Sequence, residues 1–282
     1  MTSESSRVWL ITGTSSGFGW SFAEAALKRG DRVVATARKP EVLQPLVEDY
    51  GASVLALKLD VTDRSEVTSV VADAVGRFGR LDVIVNNAGY GLAGGIEEVS
   101  EDEARAQMET NFFGLLWVTQ AVLPQLREQR SGHILNISSI GGIAAFAGLG
   151  LYNASKWAVE ALGESLAAEV EGFGIKVTNV EPSGFRTKWN NASMLNSAPM
   201  PAYDEALGGA RERFGGDNPP VPDGDPDEAA KVILDLVDSE DPPLRLLLGN
   251  MAYDTAYSRY EERVGVWKAW EKAGRATDVP AR

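Results

Sequence analysis

Short apolar runs alternate with helical patterns along most of this 282-residue chain. The runs are Arg7 to Thr12, Arg32 to Ala37, Ser53 to Leu59, Leu81 to Val85, Ile134 to Ile137, Lys176 to Val180 and Leu244 to Leu248. Continuous apolar runs of this length are typical of strands that are buried on both faces. Strands that alternate with helices form an open parallel sheet covered by helices on both sides. The sequence therefore predicts an α/β fold, a doubly wound parallel sheet of about seven strands in a single domain over residues 1–282.

Composition excludes several kinds of site and partner. The chain has no cysteine and one histidine, His133, so zinc sites built from Cys and His ligands cannot be assembled, and we expect no metal. His133 comes directly before a strand, and we expect it to be a strand-edge residue with no catalytic role. The net charge of −13 argues against nucleic acid or an anionic membrane as a partner. No apolar run is long enough to cross a bilayer and the first residues are polar, which favours a cytoplasmic protein.

A glycine-rich stretch, Gly13-Thr14-Ser15-Ser16-Gly17-Phe18-Gly19, lies between the first strand and a helix predicted over Trp20 to Arg29. Glycines in this place allow backbone N–H groups to approach a phosphate at the helix N-terminus. The alternative is a tight turn without a ligand, and the spacing G-x-x-x-G-x-G differs from the commoner G-x-G-x-x-G. We predict that Gly13, Ser15, Ser16, Gly17, Phe18 and Gly19 bind the phosphates of a dinucleotide.

The end of the second strand indicates which dinucleotide is used. NAD-selective sites carry an acidic residue about 20 residues beyond the glycines, where it binds the ribose 2′-hydroxyl. Ala37 occupies this place, and Arg38 and Lys39 follow. An arginine can bind a 2′-phosphate through two hydrogen bonds. We therefore predict NADP(H) over NAD, with Arg38 as the ligand, the alternative being that Arg38 and Lys39 are solvated loop charges.

Two further strand ends carry candidate cofactor contacts. Asp60 and Val61 follow the third strand, and Asp60 either meets the adenine edge or belongs to a plain turn. Thr62 or Asp63 is predicted to cap the helix Arg64 to Phe78, and Asp63 and Glu66 resemble a capping box. The fourth strand leads into Asn86-Asn87-Ala88-Gly89, whose small residues allow a ligand to approach closely.

A long helical pattern over Glu101 to Arg127 contains Asn111 and Gly114 near its middle. Both are poor residues for a helix interior. Their presence predicts a local opening of the hydrogen-bond ladder at a functional site.

The stretch from Ile137 to Glu169 carries the candidate chemistry. Tyr152 and Lys156 are four residues apart and lie on one face of a predicted helix. A neighbouring cation can lower a phenol pKa from about 10 to roughly 7 to 8, at which the phenol exchanges protons near neutral pH. Such a pair also arises by accident, so the argument depends on Ser139, thirteen residues earlier at the end of an apolar run.

The last third of the chain has weaker patterns. Residues 190–222 are rich in Pro, Gly, Asn and Ser, which indicates a substrate lid, a binding loop or disorder. A helical tail is predicted over residues 251–273, with a stripe formed by Tyr253, Tyr257, Tyr260, Val264 and Trp267. We expect this stripe to pack on the body of the domain, the alternatives being a dimer contact or a cover over the substrate.

Together these motifs resemble the classical short-chain dehydrogenase/reductase family over nearly the whole chain to about residue 250. The matching motifs are Thr12-Gly13-x-x-x-Gly17-x-Gly19, Asn86-Asn87-Ala88-Gly89, Asn111, Ser139 and Tyr152-x-x-x-Lys156. The resemblance implies a Rossmann-type fold and hydride transfer between a nicotinamide cofactor and a substrate carbon. It departs at Ser183, where the family usually has the glycine of a Pro-Gly pair.

The family's residue roles are carried over as expectations. Tyr152 would exchange a proton with the substrate oxygen, Lys156 would bind the nicotinamide ribose and lower the tyrosine pKa, and Ser139 would hydrogen-bond the oxygen. Asn111 would hold a water that links Lys156 to solvent. The remaining cofactor contacts implied by the resemblance are Val61, Asn87, Ala88, Gly89, Pro182, Gly184 and Thr187, besides Tyr152 and Lys156. Of the two serines Ser138 and Ser139, the thirteen-residue interval favours Ser139.

The substrate is expected to be a bulky apolar ketone or secondary alcohol. The candidate lining residues are Leu92, Phe146, Leu149, Phe185, Trp189, Met194 and Met200. The branch most similar to this chain includes hydroxysteroid and retinol dehydrogenases, although polyketide or aromatic ketones fit equally well. A homodimer or homotetramer is also implied. The rival hypotheses are a non-catalytic NADP-binding regulatory or scaffold protein, and an epimerase or dehydratase, which would need a larger C-terminal domain.

Overall fold

Seven parallel strands form the central sheet of the computed structural model, which describes residues 6–187, 193–214 and 221–278. The strands are β1 (Val8–Ile11), β2 (Arg32–Ala37), β3 (Val54–Lys58), β4 (Val83–Asn86), β6 (Gly132–Ile137), β7 (Ile175–Pro182) and β9 (Arg245–Leu248), and a separate short pair is formed by β5 (Gly91–Ala93) and β8 (Met194–Asn196). The order across the sheet is β3-β2-β1-β4-β6-β7-β9. This confirms the predicted doubly wound sheet.

Nine α-helices are present in the described residues. They are α1 (Gly17–Arg29), α2 (Gln44–Tyr50), α3 (Arg64–Phe78), α4 (Glu101–Met108), α5 (Leu115–Gln129), α6 (Gly150–Val170), α7 (Asp204–Phe214), α8 (Pro226–Asp238) and α9 (Asn250–Arg275). Side chains alternate between the two faces of each strand. In β1, Trp9 and Ile11 pack toward α1, α2 and α8, while Val8 and Leu10 pack toward α3, α5 and α6. The sheet is therefore buried on both faces.

The strand order places a crevice between β1 and β4. From β1 the chain moves outward to β2 and β3, then crosses back to β4 on the other side of β1. In open α/β sheets such a reversal leaves a crevice at the carboxyl ends of the strands, where ligands bind. The glycine-rich stretch and the Asn86-Asn87-Ala88-Gly89 motif lie on its two sides.

A π-helical turn over Glu109–Gly114 separates α4 from α5. It confirms the predicted opening of the helix ladder. Close packing explains the glycine, because a Cβ at Gly114 would lie 2.5 Å from Cγ2 of Val61. The wider turn also directs Asn111 inward, where it is buried.

The N-terminus of α3 agrees only partly with the prediction. The Asp63 carboxylate accepts hydrogen bonds from the amides of Ser65 and Glu66, so the predicted cap is confirmed. The capping box is wrong, because Glu66 accepts from the amide of Asp60 at 2.7 Å and pairs with Lys58. Glu66 therefore anchors the end of β3 instead of returning to Asp63.

The segment predicted as a lid is partly regular. Within residues 190–222, strand β8 pairs in parallel with β5, and α7 follows. Residues 190–192 and 215–220 lie outside the described residues. Whether the segment acts as a lid stays a prediction.

The tail forms the long helix α9, but its stripe does not pack on the domain. The exposed fraction of the stripe residues ranges from 38% at Val264 to 69% at Tyr257. The helix contacts the body through Ala252 and Ala256, whose small side chains allow close approach and which are buried. The expected packing of the stripe is therefore wrong. No helix in the described part of the chain is long and apolar enough to span a membrane.

Candidate active site

A cavity of about 1160 Å³ opens at the carboxyl edge of the sheet. Most of the predicted site residues line it: Gly13, Ser15, Ser16, Gly17, Phe18, Arg38, Asp60, Val61, Asn87, Ala88, Gly89, Ser139, Tyr152, Lys156, Pro182, Gly184 and Thr187. The two exceptions are Gly19 and Asn111, which are buried behind the wall. The topology thus brings together residues from six separate stretches of the sequence.

The glycine-rich stretch bends sharply between β1 and α1. Gly17 has a φ of +58°, in the left-handed region that favours glycine. A Cβ at Gly19 would lie 2.5 Å from the carbonyl oxygen of Gly13, so this position requires glycine for close packing of the loop. Ser16 precedes the helix, and its side chain makes no capping hydrogen bond to the first amides of α1. The first turn of α1 therefore faces the cavity without a side-chain cap.

Thr12 and Asn87 tie the two sides of the crevice together. The Thr12 hydroxyl accepts hydrogen bonds from the amides of Asn87 and Ala88 at 2.9 and 3.0 Å. The Asn87 side chain donates to the carbonyl oxygens of Thr12 and Gly13. These bonds fix the loop against the end of β4.

The end of β2 presents a basic side chain to the cavity. Ala37 is buried and brings no carboxylate, while Arg38 is exposed and lines the cavity. Lys39 is also exposed but is not among the lining residues. Asp60 lines the cavity and also accepts hydrogen bonds from the amide and hydroxyl of Thr62, so its turn role and its place in the cavity coexist.

Tyr152 and Lys156 occupy successive turns of α6 and are both buried. The Lys156 ammonium donates a hydrogen bond to the carbonyl oxygen of Ile137 at 2.8 Å and lies 5.8 Å from the centroid of the Tyr152 ring. The Tyr152 ring and the Ser139 hydroxyl lie close together, since a Cβ at Gly141 would lie 3.3 Å from Tyr152 Cε1 and 3.3 Å from Ser139 Oγ. The Ser139 hydroxyl in turn accepts from the amide of Gly141 at 2.9 Å. The three predicted side chains therefore form one group at the cavity wall.

The pKa of Tyr152 moves in the opposite direction to our expectation. Burial raises the pKa of Tyr152 to about 12, and the nearby Ser139 side chain opposes this rise only in part. Burial also lowers the pKa of Lys156 to about 8, which the negative charge of Glu160 opposes. The expected pKa of 7 to 8 for Tyr152 is therefore wrong for the protein alone, because exclusion of water from the phenolate dominates. Tyr152 is a neutral phenol at pH 7.

Asn111 supports the site from behind. Its side-chain amide donates to the carbonyl oxygen of Tyr90 at 2.9 Å and to the hydroxyl of Ser155 at 3.1 Å, and its carbonyl accepts from the amide of Tyr90. A Cβ at Gly89 would lie 3.1 Å from Asn111 Oδ1 and 3.7 Å from Lys156 Nζ. Asn111 and Lys156 thus approach the same glycine from two helices.

The two adjacent serines face different surroundings. Ser139 lies beside Tyr152, whereas the buried hydroxyl of Ser138 has no hydrogen-bond partner among the described residues. A Cβ at Gly142 would lie 2.8 Å from the Ser138 hydroxyl and 2.9 Å from Glu160 Cγ, so Ser138 faces Glu160. The geometry supports the choice of Ser139 over Ser138.

The departure at Ser183 is accommodated locally. Its hydroxyl donates to the carbonyl oxygen of Leu248 at 3.2 Å, next to Gly249, where a Cβ would lie 2.5 Å from it. Thr187 packs over the glycine-rich stretch, its Cβ 3.2 Å from a Cβ at Gly17. The loop after β7 therefore closes one side of the cavity without the usual glycine.

The substrate side is only partly as predicted. Phe146, Leu149 and Phe185 line the cavity. Leu92 and Met194 are buried in the packing beneath it, Met200 is not a lining residue, and Trp189 lies outside the described residues. The lining residues that sequence reasoning missed include Leu195, Arg213, Phe214 and Met251. These belong to β8, α7 and α9, which no local motif connects to the site.

His133 lies elsewhere. It belongs to β6 between β4 and β7, is buried, and does not line the cavity. It is therefore an interior residue of the sheet instead of the expected edge residue.

Known proteins share this sequence and architecture. The family model described as short chain dehydrogenase matches residues 7–197. Oxidoreductase BOA17 of Botryotinia fuckeliana is 40% identical over 275 residues, which cover 96% of this chain and 99% of the relative. The crystal structure of a short-chain dehydrogenase from Streptomyces avermitilis is 46% identical, with a TM-score of 0.91. The match covers 98% of this chain and 100% of the Streptomyces chain.

A more distant solved structure carries a cofactor analogue. The alcohol dehydrogenase from the archaeon Thermococcus sibiricus was solved in complex with 5-hydroxy-NADP. It is 26% identical with a TM-score of 0.70, and covers 86% of this chain and 95% of its own. The sheet, the site geometry and these similarities agree: this chain belongs to the short-chain dehydrogenase/reductase family of oxidoreductases.

Proposed function

We propose that the protein is an NADP(H)-dependent oxidoreductase that interconverts a bulky apolar ketone and its secondary alcohol, with Tyr152 as the acid/base. The observation that carries the proposal is the placement of Ser139 and Lys156 beside Tyr152 in the wall of a cavity that extends to the glycine-rich stretch. This arrangement gives the substrate oxygen a proton donor beside a dinucleotide site.

The residues at the carboxyl edge fit a dinucleotide. Gly13 and Gly17 keep the wall free of side chains, and the first turn of α1 offers amides that favour phosphate. NADP is favoured over NAD because Arg38 faces the cavity and Ala37 brings no carboxylate. Kinetics of an Ala37→Asp variant test this choice: preference should move toward NAD, and an unchanged preference for NADP would contradict it.

Each polar residue has a distinct role in the proposed reaction. The bound cofactor supplies or accepts the hydride at the substrate carbon. Tyr152, neutral at pH 7 because burial raises its pKa, donates its proton to the carbonyl oxygen as negative charge develops there. Ser139 hydrogen-bonds the same oxygen, and Lys156 holds the nicotinamide ribose hydroxyls and stabilises the phenolate that remains.

Asn111 completes the proposed proton path. Its amide is fixed by Tyr90 and Ser155 on the far side of Gly89 from the cavity. We propose that a water held near Asn111 passes protons between Lys156 and solvent. In this role Asn111 acts without touching the substrate.

The substrate is assigned by the character of the lining. Phe146 and Leu149 pack in one apolar cluster with Tyr152, and Leu195, Met251 and Phe185 also line the cavity, Phe185 against Phe18 of the glycine-rich stretch. A lining of this kind favours a bulky apolar group next to the carbonyl. Hydroxysteroids, retinoids, polyketides and aromatic ketones are the classes to test first, and residues 190–222 are proposed to close over them.

We also propose assembly into a dimer or tetramer through α5 and α6. A second cavity of about 330 Å³ lies between these helices at the surface, lined partly by Leu123, Pro124, Leu166 and Phe173. Apolar side chains in such a groove are available to a second copy. Light scattering on the purified protein measures the assembly, and a monomer would contradict it.

The experiment that tests the function is a screen of NADPH oxidation against bulky ketones. We expect turnover with at least one apolar ketone, and much slower turnover with NADH. If NADPH binds but every ketone is silent, the protein is a cofactor-bound regulatory or scaffold protein instead.

A further inference from the structure

A line of titratable residues extends from the candidate site along α6. Tyr152, Lys156, Glu160 and Glu164 are spaced four apart, so they follow one face of the helix. Tyr152 and Lys156 are at the cavity, Glu160 is 3% exposed, and the side chain of Glu164 is 63% exposed. The proposed reaction uses the first two and leaves a buried carboxylate one turn away without a role.

Two glycines and the side-chain amide of Asn179 determine the position of Glu160. A Cβ at Gly142 would lie 2.9 Å from Glu160 Cγ, so the loop after Ser139 can lie directly over this side chain. A Cβ at Gly163 would overlap the side-chain amide of Asn179, which donates to Glu160 Oε2 at 2.8 Å. The carboxylate is thus fixed beneath the Ser139 loop.

A second buried carboxyl group competes with Glu160 for one cation. Arg245 Nη1 donates to Glu160 Oε2 at 2.6 Å and to Glu181 Oε1 at 3.0 Å, while its Nη2 donates to Glu164 at 2.8 Å. Glu181 is 1% exposed, and burial together with the charge of Glu160 raises the pKa of Glu181 to about 8. Near neutral pH, Glu181 therefore retains a proton.

We infer that Glu160, fixed by Asn179 and Arg245, is a positioning residue that keeps Lys156 cationic during the reaction, an inference that rests on the proposed function. The charged groups that face Glu160 are Lys156 and Glu164 from α6, Glu181 from β7 and Arg245 from β9. Ser138, which directly follows β6, adds a neutral hydroxyl near Glu160. Lys156 is buried, and a buried ammonium loses its proton readily unless a negative charge supports it.

The direction of the effect follows from the electrostatics. Burial lowers the pKa of Lys156 to about 8, and Glu160 is the group that opposes this shift. If Glu160 becomes neutral, the pKa of Lys156 falls further and the ammonium is lost at a lower pH. Activity that needs the ammonium then fails at that lower pH.

The test compares the pH dependence of kcat/KM for ketone reduction in Glu160→Gln, Glu164→Gln and the wild type. Gln at position 160 keeps the acceptor for Asn179 and removes the charge. We expect the basic limb of its pH profile to move to lower pH by roughly one unit. Glu160→Asp keeps the negative charge, so its basic limb should lie close to that of the wild type. Glu164→Gln is the matched control, since Glu164 shares Arg245 but is exposed and one turn farther from Lys156. Its profile should follow the wild type.

A second readout is independent of turnover. Because Lys156 is proposed to bind the nicotinamide ribose, the pH at which NADPH affinity weakens, measured by fluorescence, should fall in Glu160→Gln alone. If Glu160→Gln does not fold, the pair Glu160→Met and Arg245→Leu replaces the ion pair with apolar groups and should give the same shift. Superimposable profiles for wild type and Glu160→Gln, or equal shifts in both Gln variants, would overturn the inference. Wild-type protein that reduces no ketone would instead contradict the proposed function, and the NADPH affinity profile would still decide the role of Glu160.

Discussion

The ammonium nitrogen of Lys156 lies 5.8 Å from the centroid of the Tyr152 ring, one turn along the same helix, and both side chains are buried. It donates a hydrogen bond to the end of β6 and does not lower the pKa of the phenol below its usual range. In the protein alone, the pair is a neutral phenol beside a cation. This state suits proton donation to a carbonyl, and Lys156 would stabilise the phenolate that follows.

Replacement of the two adjacent serines distinguishes a catalytic from a structural hydroxyl. Ser139→Ala should lower kcat/KM by roughly 10²- to 10³-fold, as for loss of one donor to a developing oxyanion. Ser138→Ala, the matched control, should stay close to wild type because its hydroxyl makes no hydrogen bond with the described residues. Steady-state kinetics measure both, and equal losses would contradict the assignment.

The two basic residues after β2 offer a similar comparison. Arg38→Gln should raise KM for NADPH by tenfold or more, on the order of 1.4 kcal/mol, and leave KM for NADH nearly unchanged. Lys39→Gln removes an equal charge from the next position, which does not line the cavity, and should have little effect. If both variants weaken NADPH binding equally, Arg38 contributes only its positive charge and makes no specific contact with the cofactor.

The π-helical turn predicts opposite effects for two helix glycines. Gly114→Ala should destabilise the protein by about 1–3 kcal/mol, since its Cβ would overlap Val61. Gly76→Ala in α3 has nothing within 4 Å and should stabilise it by up to about 1 kcal/mol. Urea unfolding measures both changes. A neutral Gly114→Ala would show that the turn tolerates a side chain.

His133 should make the protein sensitive to acid. The hydroxyl of Thr178 donates to the carbonyl oxygen of Pro243, so it accepts from His133 Nε2, which identifies the neutral tautomer. Burial lowers the pKa of His133 to about 3, below its value of about 6.5 in the unfolded chain. Its contribution to stability is therefore complete above pH 6.5 and is lost as pH falls toward 3, by at most about 1.4 kcal/mol per pH unit.

His133→Gln removes this titration and keeps a donor for Thr178. The free energy of unfolding between pH 6.5 and 4 should fall less steeply in the variant than in the wild type. Equal slopes would mean that His133 is not the group responsible.

Local patterns predicted which residues come together at the carboxyl edge of the sheet. Gly17, Asn87 and Ser139 each follow a buried strand, and parallel strands bring their carboxyl ends to one edge. The Tyr152 and Lys156 spacing needed only a helix. These features depend on short stretches of sequence and on a topology that the strand and helix alternation already fixes.

The features that sequence reasoning missed depend on tertiary packing. Phe214 and Met251 reach the cavity from α7 and α9, whose docking no motif encodes. The raised pKa of Tyr152 comes from burial, which the helix spacing does not show. The stripe containing Tyr257 was expected to pack inward, but a helical stripe has the same spacing whether it faces the core or solvent.

The most direct test of the account is single-turnover reduction of a ketone by NADPH with Tyr152→Phe. Tyr203→Phe is the matched control, because Tyr203 bonds to Glu97 and does not line the cavity. We predict that Tyr152→Phe binds NADPH with near wild-type affinity, while hydride transfer slows by roughly 10²- to 10⁴-fold. Hydride transfer at the wild-type rate in Tyr152→Phe would contradict the central claim that this phenol supplies the proton.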